Sequence, residues 1–164
     1  EMAISQGDKL PSTILRRMGN DGPEEVTIDA LTSGRKIVLF GLPGAFTPTC
    51  SSAHVPSFIR TIDQFRAKGV DEIVCVAVND VHVMREWSKV SGAAAAGLSM
   101  WADPVSAFTT AIGMNFDVEA VGFVGRSSRY AMLVDDGVVS ILNLETARGI
   151  CDISGGENLL ADMG

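Results

Sequence analysis

Apolar positions along the 164-residue chain fall into two kinds of run, and their order sets the architecture. Lys36 to Gly41 (KIVLFG) and Glu72 to Val78 (EIVCVAV) are continuous β-branched and aromatic stretches of strand length. Without polar alternation, they read as strands buried on both faces. Elsewhere apolar residues recur at spacings of three and four. Val55, Phe58, Ile59, Ile62 and Phe65 make one helical face that stops at Lys68-Gly69. A second helix is expected from Val81 to Lys89, broken by Ser91-Gly92. Pro56 should kink the first of these helices or loosen its first turn.

Leu98 to Ala102 reads as a short strand, Val105 to Met114 as a short helix, and Ala93 to Ala96 as helix or loop filler. Tyr130 to Val134 and Val138 to Leu144 flank Asp135-Asp136-Gly137, a strong hairpin signal. A last helix is expected over Glu157 to Met163. The first thirty-five residues mix turn formers with β-type pieces such as Glu25 to Ile28, giving an opening hairpin or an irregular lead-in. Strands alternating with helices, then a hairpin, predict an α/β fold with a mixed central sheet flanked by helices. One domain over residues 1–164 is expected.

Composition narrows the function classes. Apolar residues make up 46% and charged residues 20%, which excludes a disordered tail. A chain this long can bury roughly two thirds of its unfolded surface. The net charge of −7, with no basic run, leaves nothing to neutralise phosphates, so a nucleic-acid partner is not expected. The longest apolar runs fall far short of the roughly 20 residues that span a bilayer. The opening Glu1-Met2-Ala3-Ile4-Ser5 lacks the form of a signal peptide, so a cytoplasmic, reducing location is the default. An organelle stays open if a targeting segment was removed. Cys50, Cys75 and Cys151 are too few for a disulfide framework and form no CxxC pair. With only His54 and His82 to join them, no metal site is expected.

The segment that carries chemistry is Pro43-Gly44-Ala45-Phe46-Thr47-Pro48-Thr49-Cys50. It joins a buried strand to a helix, placing Cys50 at or just inside a helix N-terminus. Free N–H groups and the positive end of the dipole there favour a thiolate, the nucleophile of thiol chemistry. Thr47 lies one turn before Cys50 and can return its hydroxyl to the sulfur or to a substrate. Pro43 and Pro48 stiffen the loop, and Pro43 can shield the sulfur from water. Taken alone, Cys50 reads first as a small buried hydrophobe behind a cap from Thr47 or Thr49.

Pro43, Thr47 and Cys50 form the pattern PxxxTxxC, which resembles the active-site signature of the peroxiredoxins. FGLPGAFTPTCSSAHVPSF (Phe40 to Phe58) is similar to the type II, peroxiredoxin-5-like subfamily. GVDEIVCVAVND (Gly69 to Asp80) and GRSSRYAMLVDDG (Gly125 to Gly137) agree in order. The resemblance runs from about Ile37 to Leu144. It implies a thioredoxin-like fold with extra N-terminal elements, peroxidase activity, and no metal, flavin or haem. It makes Cys50 the peroxidatic cysteine, Thr47 its hydroxyl partner and Pro43 the shield. It also implies an active-site arginine ahead of a strand that ends in Asp. Arg129 fits that place, and Arg126 is the nearby competitor. Read without the resemblance, Arg129 is a surface charge at a strand end.

The reaction so implied converts the Cys50 thiolate to a sulfenic acid, which a second thiol must reduce. Cys75, in an apolar strand, reads first as a packed core thiol. Cys151 sits near the C-terminus, where some type II members carry a resolving cysteine, offset here by two residues. Both stay candidates for resolution, beside an external glutaredoxin, glutathione or thioredoxin. Thr47 fills the first cysteine position of a CxxC reductase (TPTC), which excludes a dithiol at this site. His54 follows Cys50 by one helical turn and reads as a hydrogen-bonded structural histidine. Trp87 and Trp101 read as core or pocket rim, and Met84, Met100 and Met114 as core filler. Phe46 is expected on an exposed loop, where the resemblance implies a homodimer pairing through active-site loops. Two other functions use the same residues. A redox sensor or relay would pass oxidation from Cys50 to a partner protein, and a cysteine hydrolase would need a histidine base and leave Arg129 without a role.

Overall fold

A computed structural model describes residues 3–164. Glu1 and Met2, the start of the segment read above as lacking signal-peptide form, lie outside the described residues. A seven-stranded sheet runs in the order β2-β1-β5-β4-β3-β8-β9. Its centre is β3 (Lys36–Leu42), parallel to β4 (Glu72–Ala77) and antiparallel to β8 (Tyr130–Asp135). β8 turns into β9 (Val138–Leu144), the expected hairpin. β4 is parallel to β5 (Ser99–Ala102). The lead-in resolves into a hairpin of β1 (Ile14–Gly19) and β2 (Gly22–Thr27), and β1 joins the sheet beside β5 through Arg16 and Ala102.

Alternation along the buried strands sorts their side chains into two cores. Val38, Phe40, Leu42, Ile73, Cys75, Ala131 and Leu133 meet the apolar faces of α2 (Val55–Ala67), α3 (Val81–Val90) and α6 (Gly156–Asp162), including Phe58, Phe65, Trp87 and Leu159. Ile37, Leu39, Val74, Val76, Trp101, Tyr130 and Met132 face the other way, onto Leu15, Ile28, Phe108 and Met114. Tyr130 sits opposite Gly41, where an added Cβ would fall 2.5 Å from a ring carbon. That glycine is therefore required by the packing of the ring.

Three regions depart from the sequence expectations. A short helix, α1 (Ile28–Thr32), follows β2 and is capped by the Thr27 hydroxyl, which accepts from the Ala30 N–H. The helix expected over Val105 to Met114 shrinks to α5 (Ala107–Ala111), with Val105 84% exposed. Its start is held by the Asp103 carboxylate, which accepts from the Phe108 and Thr109 N–H groups at 3.1 and 2.8 Å. β6 (Asn115–Val118) and β7 (Phe123–Ser127) then form a separate two-stranded sheet that the apolar pattern does not signal. The alanine run is helical as α4 (Ala93–Ala96).

Pro56 acts as expected, through a wide turn. Residues Cys50–His54 form a π-helical turn in which the Val55 N–H donates to the Cys50 carbonyl, five residues back. Proline lacks an N–H and its ring crowds the carbonyl four residues before it, so the turn ahead of Pro56 opens instead of continuing as α-helix.

Candidate active site

The loop after β3 carries the expected octapeptide and is pinned from several sides. The Ala45 N–H donates to Asn79 Oδ1 at 2.9 Å, tying the loop to the end of β4. Arg126 on β7 donates to the Pro43 carbonyl at 2.9 Å, and an added Cβ on Gly44 would run into that guanidinium. The Thr47 hydroxyl donates to the Gly44 carbonyl at 2.7 Å, which closes the turn and leaves its oxygen lone pairs free to accept. Phe46 stands between them at φ 64°, a left-handed conformation costing a non-glycine residue about 1 kcal/mol, and the residue is 53% exposed. Beyond the loop, the Trp87 indole donates to the Ser51 hydroxyl at 3.1 Å, and the Thr49 hydroxyl donates to the Gly149 carbonyl at 3.0 Å.

Cys50 opens the π-helical turn and is 0% exposed. Arg129, in the short link between β7 and β8, is only 5% exposed, so the reading of it as a surface strand-end charge is overturned. Its Nη2 donates to Cys50 Sγ at 3.3 Å, and its Nη1 lies 3.1 Å from His54 Nδ1. Its Nε is buried with no hydrogen-bond partner among the described residues. Of the two candidate arginines, Arg129 reaches the sulfur and Arg126 braces the loop at Pro43. The π-helical turn thus brings Cys50 and His54 onto one guanidinium.

His54 is fully buried, and its Nε2 lies 3.0 Å from the Ser154 carbonyl. Burial, then the Arg129 charge, lower its pKa to about 3, against the opposing pull of the Ser154 carbonyl. A neutral ring follows at any physiological pH, which suits a structural histidine and not a general base. His82 lies at the start of α3, where its backbone N–H donates to the capping Asp80 carboxylate at 2.9 Å.

A cavity of about 340 Å³ beside Arg129 is lined by Pro43, Phe116, Ser128, Glu145 and Arg148. A neighbouring apolar slot of about 230 Å³ runs between Thr47, Pro48, Phe116, Val118, Val121 and Phe123 and reaches Arg129 as well. Pro43, Thr47 and Arg129 therefore line one space, and Arg129 links it to the buried sulfur. Sequence reasoning missed β6 and β7, which supply the apolar wall, and missed Glu145 and Ser154. The signal for His54 was present in its spacing from Cys50.

The other cysteines differ. Cys75 is 0% exposed on β4, opposite Phe40 and Met100. Burial, reinforced by the charge of Cys50 and opposed by Arg129, pushes its thiol well above the usual range. Cys151 is half-buried in the loop before α6, with Sγ 3.9 Å from the Ser154 hydroxyl, and burial raises its pKa too. Among the described residues, no group of three or more His, Cys, Asp or Glu side chains converges where a metal ion would sit, and no helix is long and apolar enough to cross a membrane.

Comparisons with known proteins bear on the family and the fold. The chain matches the Redoxin family over residues 5–160. It is 46% identical to chloroplastic peroxiredoxin-2E-2 of Oryza sativa subsp. japonica, over 96% of this chain and 72% of the relative. It is 42% identical to peroxiredoxin-2C of the same plant, over 96% of both. Among solved structures, reduced Prx3 of Vibrio vulnificus in complex with hydrogen peroxide superposes with a TM-score of 0.91 at 43% identity, covering 98% of this chain and 99% of that one. Peroxiredoxin 5 of Alvinella pompejana gives 0.85 at 31% identity, over 98% and 97%. The fold is thioredoxin-like. The chain belongs to the Redoxin family, as a thiol-dependent peroxidase of the type II, peroxiredoxin-5-like kind.

Proposed function

We propose that Cys50 is the peroxidatic sulfur, with Arg129, Thr47 and Pro43 as its active-site partners. The observation that carries this is the Arg129 Nη2 to Cys50 Sγ bond of 3.3 Å, made by an arginine that with Pro43 also lines the cavity. A hydroperoxide enters over Pro43 and Thr47. The Cys50 thiolate attacks the oxygen distal to the leaving group. A sulfur–oxygen bond forms, the oxygen–oxygen bond breaks, and two electrons pass from sulfur to peroxide. The departing oxide takes a proton and leaves as water or an alcohol, while Cys50 is left as sulfenic acid. The guanidinium stabilises the charge moving onto the leaving oxygen, and Thr47 accepts from the peroxide proton with its free lone pairs. The apolar slot beside Phe116 and Val118 suits the alkyl part of an organic hydroperoxide, alongside hydrogen peroxide itself.

A separate thiol, glutaredoxin with glutathione or thioredoxin, reduces the sulfenic acid in this reading. It attacks the Cys50 sulfur and releases water, and a further thiol resolves the mixed disulfide. The burial and raised thiols of Cys75 and Cys151 favour an external reductant. Cys151→Ser and Cys75→Ser are expected to keep peroxide turnover with glutaredoxin and with thioredoxin within about twofold. Loss of turnover in either variant, with the first oxidation intact, would make that cysteine the resolving thiol.

The exposed Phe46 ring, with Val121 and Val124 exposed by 65% and 66%, supports pairing of two copies across the site-bearing loops. Phe46→Ser should then shift the sedimentation of the reduced protein toward monomer. The rice relative peroxiredoxin-2E-2 is chloroplastic, which favours an organelle as the location of this chain.

A further inference from the structure

Immediately after β9, Glu145 turns its carboxylate back onto the loop that follows it. One oxygen accepts from the Asp152 N–H at 2.7 Å, the Ser154 N–H at 2.9 Å and the Ser154 hydroxyl at 2.6 Å. The Glu145 N–H donates to the Arg129 carbonyl at 3.0 Å. The loop gathered in this way is seated on α2 by the Gly156 N–H, which donates to the Ser57 hydroxyl at 2.9 Å. It presents the Ser154 carbonyl to His54 Nε2.

The direction of each bond in this chain can be assigned. A guanidinium has donors only, so His54 Nδ1 must accept from Arg129 Nη1. The neutral ring then carries its proton on Nε2 and donates it to the Ser154 carbonyl. Two bonds on opposite sides fix the plane of the imidazole, and the imidazole fixes the fork of Arg129 whose other arm reaches Cys50. Glu145 therefore touches Arg129 twice, at its backbone directly and at its guanidinium through Ser154 and His54.

We propose that Glu145 is a positioning residue for the peroxide step, holding Arg129 in its donating orientation toward Cys50 through Ser154 and His54. The proposal rests on the roles given to Arg129 and Cys50 above. Partial burial works against the Glu145 charge, but the bonds from Ser154 and Asp152 and the Arg129 charge outweigh it, and the pKa falls below the ordinary carboxylate value. The carboxylate is thus ionised wherever the thiol chemistry runs. A charged acceptor makes stronger bonds than a neutral one, which is the reason a glutamine should not replace it.

The test compares Glu145→Gln, Arg129→Lys and the double variant, reading the rate constant of the reduced protein with hydrogen peroxide across pH, and the melting temperature. Glu145→Gln should slow oxidation about tenfold, and the pH at which the rate reaches half its plateau should move up as the sulfur loses its donor. In the Arg129→Lys background the same change should cost no more than about twofold, because the group it positions is already gone. Glu145→Asp should recover part of the loss. An unchanged rate and pH profile in Glu145→Gln would overturn the proposal, and so would a full tenfold loss added on top of Arg129→Lys. If Glu145→Gln does not fold, Ser154→Ala removes only the hydroxyl bond and should slow oxidation about threefold, with a parent-like rate counting against the proposal. Arg129→Lys reacting like the parent would instead sink the role given to Arg129, a failure separable from that of Glu145.

Discussion

Cys50 and Cys75 lie in the same core layer, both with 0% exposure, yet their surroundings differ. Cys75 is a mid-strand residue between two paired strands, and its thiol, pushed well up by burial, is a packing group. Cys50 sits where a helix begins, its sulfur faces the Arg129 Nη2, and the wide turn ahead of Pro56 brings His54 against the same guanidinium. Burial alone silences a thiol, and a fixed cation against the sulfur is what the role proposed for Cys50 requires. The difference lies in one arginine and the loop that holds it.

The comparison breaks most completely at the sulfur. Cys50→Ser should abolish peroxide consumption, read by loss of hydrogen peroxide in steady state with any thiol reductant. Next comes the cation. Arg129→Lys keeps the charge but loses the planar fork, and about a hundredfold fall in the rate of sulfenic acid formation is expected, measured by stopped flow. An unchanged rate would place transition-state stabilisation elsewhere.

His54 provides a smaller effect with a defined pH window. Its folded pKa of about 3 lies below its unfolded value, so below about pH 6.5 the unfolded chain binds a proton that the native ring refuses. Stability falls as pH drops from about 6.5 toward 3, by up to about 1.4 kcal/mol per unit. His54→Asn, with an oxygen near the position of Nδ1 to accept from Arg129, should flatten that part of the stability curve in urea titrations. A curve as steep as the parent's would mean the ring titrates normally. The smallest effect belongs to the second cysteine. Cys75→Ser should leave the first oxidation within about twofold while costing about 1–3 kcal/mol of stability for a hydroxyl buried among apolar strands.

Much of the site could be read from the sequence because its residues are close together in the chain. The octapeptide encodes its own turn, the apolar run ahead of it its strand, and Pro56 the distortion of the next helix. Arg129 needed the resemblance, since nothing in Ser127-Ser128-Arg129-Tyr130 reveals that this charge is buried 3.3 Å from a sulfur 79 residues away. Glu145 and Ser154 were not legible for the same reason. Their partners lie on other elements, and a carboxylate after a strand looks like any solvated charge. β6 and β7 escaped because four- and five-residue strands with half-exposed side chains carry too little periodicity. The helix expected over Val105 to Met114 was overread because its apolar residues serve the second core from loop as well as helical backbone, with Asp103 fixing where the helix begins.

The most direct test mixes fully reduced protein with one equivalent of hydrogen peroxide, following tryptophan fluorescence and then the intact and peptide masses. Trp87, bonded to Ser51 beside Cys50, is placed to report the event. Rapid loss of one thiol is expected, with a single oxygen gained on Cys50 when no reductant is present. A rate no faster than that of a free thiol, or oxygen found on Cys75 or Cys151 first, would contradict the assignment of Cys50 as the sulfur prepared by Arg129.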